Sequence, residues 1–255
     1  MDLRLPTHGL DRYKSASQRA RVATELWGAT NLYCVSCSSP CIELMPHNTA
    51  AIDYVCASCK SPFQLKSQSR AFGARIVDSA YSKMKLAIVE DRTPNLYVLQ
   101  YDPSAWHVQA LIVIPRFAFT LSALECRKPL APTARRAGWV GCNIRLDKIP
   151  SDARIPIIRE GHILPSRNVR HAYDRLRSLQ NLNPEKRGWT LDVLQSVRSL
   201  GREEFTLQEV YANAGALAKL HPRNLHVRDK IRQQLQVLRD LGLIEFRAPG
   251  AYKLR

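Results

Sequence analysis

The sequence of 255 residues contains no apolar run near the ~20 residues that a membrane-spanning helix requires. Its first residues, MDLRLPTHGLDRYK, lack the apolar stretch of a secretory leader. Both absences set the expectation of a cytoplasmic protein with no membrane partner. No internal repeat is present, so each element is read on its own. Acidic residues are scarce: 22 Asp+Glu stand against 38 Lys+Arg, a formal net charge of +16. The excess is mostly arginine and is spread along the chain, which makes a polyanion, and nucleic acid first of all, the expected partner. At 45% hydrophobic and 24% charged residues the composition is that of a folded protein. A chain of this length buries a substantial core and fits one large or two modest domains.

The elements follow from periodicity and breakers. Residues 10–27 read as a helix, with Ala16, Ala20, Ala23 and Trp27 at helical spacing. Residues 50–55 and 62–67 read as short strands, 76–90 as a helix, and 96–101 and 107–114 as strands rich in Val, Ile, Leu or Tyr. Residues 116–150 read as loop. Within 116–145, Arg116, Arg127, Lys128, Arg135, Arg136 and Arg145 accompany a single acid, Glu125. Residues 168–182 read as a helix, and Asn183-Pro184 marks a boundary, because the residue before proline is pushed out of the helical region. Beyond it come helices over 189–199, about 207–214 and about 224–241. Thr206 and Glu209 form a capping-box signal, and Gly242 is a helix stop. Strand candidates at 243–247 and 251–254 flank Pro249-Gly250. Three helices followed by a hairpin predict a winged helix-turn-helix. The fold expected is α+β, with residues 1–182 as one domain and 183–255 as a second.

Seven cysteines in a reducing compartment point to metal more than to disulfides. Cys34-x2-Cys37 and Cys56-x2-Cys59 are separated by eighteen residues, the spacing of a structural zinc site in which each pair presents two thiolates to a tetrahedral ion. Four protein ligands leave no open position, so this metal holds structure and does no chemistry. Cys41 lies close enough to compete for a place in the set. Asp53 precedes Cys56, and Gln64-Leu65-Lys66 follows Cys59. Positions 64 and 66 face one way on a strand. An Asp on one strand and a polar-x-Lys on the next is the arrangement of PD-(D/E)xK nucleases, in which acids and a backbone carbonyl hold Mg²⁺ and the Lys assists the attacking water. Alone, this pattern also occurs in ordinary hairpins. Two reading elements are suggested. One is the basic loop around Trp139, which lies between Gly138 and Gly141. The other is the helix at 224–240, whose His226, Arg228, Lys230, Arg232, Gln233 and Gln236 lie off the apolar face of Val227, Ile231, Leu235 and Leu238. Arg and Gln pair with guanine and adenine edges.

Taken together, YKSASQ at 13–18, the four cysteines, LKS at 65–67, RKPLAPTARRAGWVGCNI at 127–144, RGWT at 187–190 and KIRQQLQVLRD at 230–240 resemble the DpnI-type restriction endonucleases over nearly the whole chain. The resemblance implies a bacterial restriction-modification enzyme, a type II site-specific deoxyribonuclease cutting double-stranded GATC only where the adenine carries an N6-methyl group. It implies a PD-(D/E)xK nuclease domain with a zinc knuckle and then a winged helix-turn-helix domain, both reading methylated DNA. Carried over, Asp53, Gln64 and Lys66 are the catalytic residues, and Asp53, Gln64 and the Leu65 carbonyl hold the catalytic Mg²⁺. Cys34, Cys37, Cys56 and Cys59 hold the structural Zn²⁺. Arg127, Lys128, Arg135, Arg136, Trp139, His226, Arg228, Arg232 and Gln233 contact DNA, and the protein is expected to be a monomer in solution.

Position 64 departs from the family, which has Glu where this chain has Gln. An amide oxygen ligates Mg²⁺ without charge, and Glu25 on the first helix is a candidate for the missing carboxylate. The alternatives are a methylated-DNA reader or regulator whose nuclease activity is weak or absent because of Gln64, and a zinc-ribbon transcription factor using its winged helix alone. Two readers have a physical rationale. One methyl pocket is worth about 1–3 kcal/mol, or roughly 10–200-fold, and independent readers multiply their discrimination.

Overall fold

The computed structural model describes residues 1–46 and 52–255. Helix α1 (Ala16–Asn31) follows a 3-10 turn at Leu10–Arg12. Strands β1 (Glu43–Leu44) and β2 (Tyr54–Val55) precede β3 (Pro62–Gln68) and β4 (Arg75–Ala80). Then come α2 (Tyr81–Val89), β5 (Asn95–Asp102), β6 (His107–Ile114), β7 (Leu124–Cys126), β8 (Gly141–Arg145), β9 (Ile155–Arg159), β10 (His162–Ile163) and α3 (Ser166–Leu176). The C-terminal part contains α4 (Pro184–Arg198), β11 (Glu204–Thr206), α5 (Leu207–Ala212), α6 (Ala214–Leu220), α7 (Val227–Asp240), β12 (Ile244–Ala248) and β13 (Ala251–Leu254). Among the described residues no helix is long and apolar enough to cross a membrane.

Among the described residues, seven strands form the main sheet in the order β1-β2-β3-β5-β6-β9-β10. Its centre is β5, where Leu96, Tyr97, Val98 and Leu99 are all buried. A strand covered on both faces reads as a continuous apolar run. β3 pairs with it in parallel, Gln64 opposite Leu96 and Lys66 opposite Val98. β3 itself alternates: Phe63 and Leu65 are buried, while Gln64 and Lys66 lie on the other face. A second, three-stranded sheet has the order β4-β8-β7 and carries the basic loop between β7 and β8.

Several sequence expectations are corrected. The helix expected over 76–90 is split: Arg75–Ala80 is a strand, with Ile76 and Asp78 buried in alternation, and the helix begins at Tyr81. Pairing with β8 decides this against helix propensity. The strand expected over 50–55 comprises Tyr54–Val55, and its first two residues lie outside the described residues. The first helix starts at Ala16 and not at residue 10. The last turns of the 168–182 helix are 3-10. The loop-rich segment 116–150 contains β7 and β8, and β9 and β10 follow it in a region where the sequence predicts no strands.

The C-terminal part is a winged helix with one helix more than expected. α4 begins at Pro184, five residues before 189, with Asn183 accepting from the Lys186 N–H as its cap. The expected second helix is two, α5 and α6, meeting at Asn213. The Thr206–Glu209 capping box is formed, and Gly242 ends α7 with φ of 73°. α7 buries Ile231, Leu235 and Leu238, along with Gln234, which accepts from Thr190 at 2.8 Å.

α4 also docks on residues of the N-terminal part through polar clasps. Arg187, only 2% exposed, donates to Asp91 at 2.5 Å. Asp192 accepts from Ser122 Oγ at 2.5 Å and pairs with His221 Nε2 at 2.8 Å. Ser122 meets the carboxylate and not the imidazole, so this is a clasp and not a nucleophilic triad. Arg198 pairs with Asp152 at 2.6 Å, and Gln195 donates to the Asp147 carbonyl at 2.9 Å. Buried polar groups joined this way are costly to break singly, which fixes one arrangement of the two parts.

Candidate active site, metal centre and nucleic-acid interface

The four-cysteine group is the most completely assembled of the candidate sites. The sulfurs of Cys34, Cys37, Cys56 and Cys59 all lie within 4.8 Å of one another. Cys34 Sγ stands 3.6 Å from Cys59 Sγ, and Cys37 Sγ 3.6 Å from Cys56 Sγ. Tetrahedral Zn–S bonds of ~2.3 Å place sulfurs about 3.8 Å apart, so the four could hold a zinc ion with little movement. Cys41 is exposed and outside the group. Burial pushes the Cys34 thiol up. Burial also opposes ionisation of Cys56, but the Cys59 and Ser58 N–H groups and the neighbouring thiols pull it down to about 6. Lys60, in the left-handed region at φ 60°, closes the second knuckle.

A cleft of about 790 Å³ opens beside the knuckle, lined by Glu25, Asp53, Gln64, Leu65 and Lys66, with Arg21, Arg70 and Arg75 also in its walls. The two-residue spacing on β3 thus presents Gln64 and Lys66 to one cavity. Asp53 N–H donates to the Phe63 carbonyl at 2.9 Å, and Asp53 Oδ2 accepts from the Leu65 N–H at 2.8 Å. One carboxylate oxygen is thereby fixed to the β3 backbone while the group stays in the cleft. Burial raises the Asp53 pKa, and the Glu25 charge raises it further. The Leu65 N–H, Lys66 and Arg21 pull the other way without reversing it. A carboxylate held where its charge is disfavoured, beside a second carboxylate, is suited to a cation. The donor set of two carboxylates, an amide oxygen and a backbone carbonyl is the hard-oxygen chemistry that Mg²⁺ takes.

Glu25 is present because α1 approaches the sheet closely. Tyr54 OH donates to the Glu25 carbonyl at 2.8 Å. Gly28, one helical turn on, makes room for that ring: a Cβ there would lie 2.3 Å from the Tyr54 hydroxyl. Arg21 Nε holds the Glu25 side chain at 2.6 Å. Lys66 Nζ stands 2.8 Å from Asp78 Oδ1 on β4. Asp78 is not among the residues that the sequence picks out, because its segment reads as helix. The period-2 alternation of Ile76 and Asp78 is the signal that could have found it.

At the base of the basic loop, Glu125 on β7 ties together residues of β4 and β8. Glu125 binds Arg75 at 2.7 Å, Asn143 at 2.8 Å and Arg145 at 3.3 Å. The Arg75 and Asn143 hydrogen bonds pull its pKa down to about 2, with the positive charge of Arg145 assisting. Arg127, Lys128 and Arg135 are exposed and have no ion pair among the described residues. The half-buried Trp139 lies with Arg136 4.7 Å from its ring centre. Its edge rests over Gly141, where a Cβ would come within 2.8 Å of the ring. One face of Trp139 is therefore already covered. On α7, Arg232 and Gln233 are exposed, as are His226 before it and Arg228, which stacks on Tyr211 at 5.3 Å. Leu225, just before α7, is 88% exposed and is not singled out by the sequence. A leucine in a polar turn is its only signal there.

A cleft of hard donors beside a four-cysteine knuckle, an exposed basic loop and a C-terminal helix-turn-helix define a two-part DNA-binding protein of mixed α/β architecture. Residues 1–182 match the Dam-replacing family, DpnI, and residues 185–254 match the Dam-replacing HTH domain. The chain belongs to the Dam-replacing family. That membership makes it a restriction endonuclease, a hydrolase whose partner is DNA.

Proposed function

We propose that the chain is a methyl-directed, Mg²⁺-dependent endonuclease that cuts double-stranded DNA at GATC sites carrying N6-methyladenine. Residues 1–182 are the nuclease and 183–255 a second reader. The observation that carries this reading is the convergence of Asp53, Gln64 and Lys66 on one cleft with Glu25 in its wall. Bound Mg²⁺ supplies charge neutralisation at the scissile phosphate and a more acidic water. Asp53, the Gln64 amide oxygen and the Leu65 carbonyl hold it, and Glu25 returns the negative charge that Gln64 lacks. Lys66 orients the attacking water, and Arg21, Arg70 and Arg75 take phosphate oxygens. Trp139 offers a flat apolar face to a base methyl. Arg127, Lys128, Arg135 and Arg136 hold the backbone around it. His226, just before α7, and Arg228, Arg232 and Gln233 on it read the groove.

Digestion of methylated and unmethylated plasmid with Mg²⁺ tests this. Faster cutting of the methylated DNA is expected; equal cutting of both, or of neither with any divalent metal, sinks it. Asp53→Ala and Lys66→Ala should each lower cleavage by at least about 10³-fold while leaving binding intact.

Gln64 favours a second reading, a methylated-DNA reader with a decayed nuclease. Gln64→Glu separates the two. On the first reading it lowers the Mg²⁺ needed for half-maximal cutting. On the second it creates cutting where there was none.

A further inference from the structure

Asp78 is a charged side chain in an apolar position. It alternates with Ile76 on β4, and its side chain is 2% exposed. Among the described residues its Oδ1 accepts no well-formed hydrogen bond, and Lys66 Nζ, 2.8 Å away, is its one ion-pair partner. A buried carboxylate with so little satisfaction is a poor device for stability, since apolar groups of similar shape do as well or better. Its partner is the lysine at the wall of the cleft.

The backbone around Asp78 connects this pair to the basic loop. The β4–β8 register shifts between Val77, opposite Asn143, and Ala80, opposite Gly141. Asp78 and Ser79 are therefore the bulged residues, facing the buried Cys142. The Cys142 thiol donates to the Ser79 carbonyl at 3.3 Å, and the Tyr81 N–H donates to the Val140 carbonyl at 3.1 Å. The edge of the Trp139 ring lies against Gly141. A contiguous set of contacts thus runs from Trp139 through Gly141 and the bulge to Asp78 and Lys66. Bulges re-aim a side chain beside functional sites.

We propose that Asp78 is a positioning residue for Lys66, and that the bulge it occupies makes the placement of Lys66 depend on the seating of the Trp139 loop. Methyl recognition then affects the rate of cutting as well as the strength of binding. The proposal rests on Lys66 acting at the scissile phosphate.

Single-turnover cleavage of methylated and unmethylated duplexes tests it, with duplex affinity measured separately in Ca²⁺. Asp78→Asn should slow cleavage of the methylated duplex about 10- to 100-fold, the range for a misplaced catalytic group. Affinity should stay within about 2-fold, and zinc content and thermal midpoint should be unchanged or raised. Asp78→Glu should recover part of the rate. The methylated-to-unmethylated ratio in rate should shrink in Asp78→Asn, while the ratio in affinity stays. A wild-type rate in Asp78→Asn, or a fall matched by an equal loss of affinity, overturns the positioning role. A slower rate with an unchanged rate ratio overturns the link to the loop. Should Asp78→Asn fail to fold, Asp78→Glu decides: a wild-type rate there overturns the proposal, and a reduced rate at wild-type affinity supports it. Lys66→Ala cutting at the wild-type rate refutes the assignment of Lys66 itself, whatever Asp78 does.

Discussion

The cleft of the N-terminal part and helix α7 of the C-terminal part treat polar groups in opposite ways. In residues 1–182 charge is carried into the structure. Asp53 and Glu25 are partly buried, Asp78 almost wholly, and four thiols converge at the end of β2. In the helix-turn-helix part the apolar residues of α7 face in and its Arg and Gln face out, with Gln234 the buried exception, satisfied by Thr190. The contrast reflects the work asked of each. Chemistry on a phosphate needs charges gathered where solvation disfavours them, set here on strands whose apolar faces form the core. Reading a groove needs charges on a rigid surface, which ordinary burial of one helix face provides.

Zinc removal should open this contrast widest. If the knuckle supplies folding free energy of about 10–16 kcal/mol, as structural zinc does in small domains, chelation or Cys56→Ser should unfold residues 1–182 while α7 keeps its helical signal. Circular dichroism with zinc analysis reads this, and simultaneous loss of both parts would show that the Arg187 and Asp192 clasps make them one cooperative unit.

Gly28→Ala should be the next largest effect. The added methyl meets the Tyr54 hydroxyl, so about 1–3 kcal/mol of overpacking is expected. Because Tyr54 adjoins Asp53 and bonds to the Glu25 carbonyl, cleavage should fall more than the thermal midpoint implies. An equivalent insertion at the solvent face of α7 should cost little.

Arg232→Ala should weaken binding by about 1–3 kcal/mol if it pairs with a base, and should relax specificity. Lys128→Ala should weaken all duplexes alike and lower the salt slope by roughly one. Competition binding at two salt concentrations distinguishes base from phosphate contact.

The smallest effect is in pH. Glu125 has its pKa lowered to about 2 in the folded chain. Its contribution is therefore complete above the unfolded value of about 4.3 and is lost as pH falls through about 2. Glu125→Gln should reduce stability at pH 7, and the difference from wild type should close toward pH 2. A difference that stays constant with pH would show that the Arg75 and Arg145 contacts contribute nothing through charge.

Legibility in the sequence divides along the same line. α7, its Gly242 stop and the Thr206 capping box are readable because each is written in residues a few positions apart. β4 reads as helix because its strand state is decided by β8, more than sixty residues on, and Asp78 is lost with it. The four-cysteine group is legible because thiolate spacing within each knuckle is local, while the exclusion of Cys41 needs coordinates. Asp53, Gln64 and Lys66 are found from their pattern, yet nothing in that pattern brings Glu25 to the same cleft.

The sequence by itself determined the charge, the four-cysteine group, the amphipathic helix α7 and the family motifs, because these depend on residue type and short spacing. The tertiary structure alone decided that α1 lies close enough to place Glu25 beside Asp53, that Lys66 is met by a buried Asp78, and that the Trp139 loop rests on the strand paired with β4. Each of these depends on chain closure between distant segments, and a close backbone approach at Gly28 or a bulge opposite Cys142 is specified by packing that no local run of residues encodes.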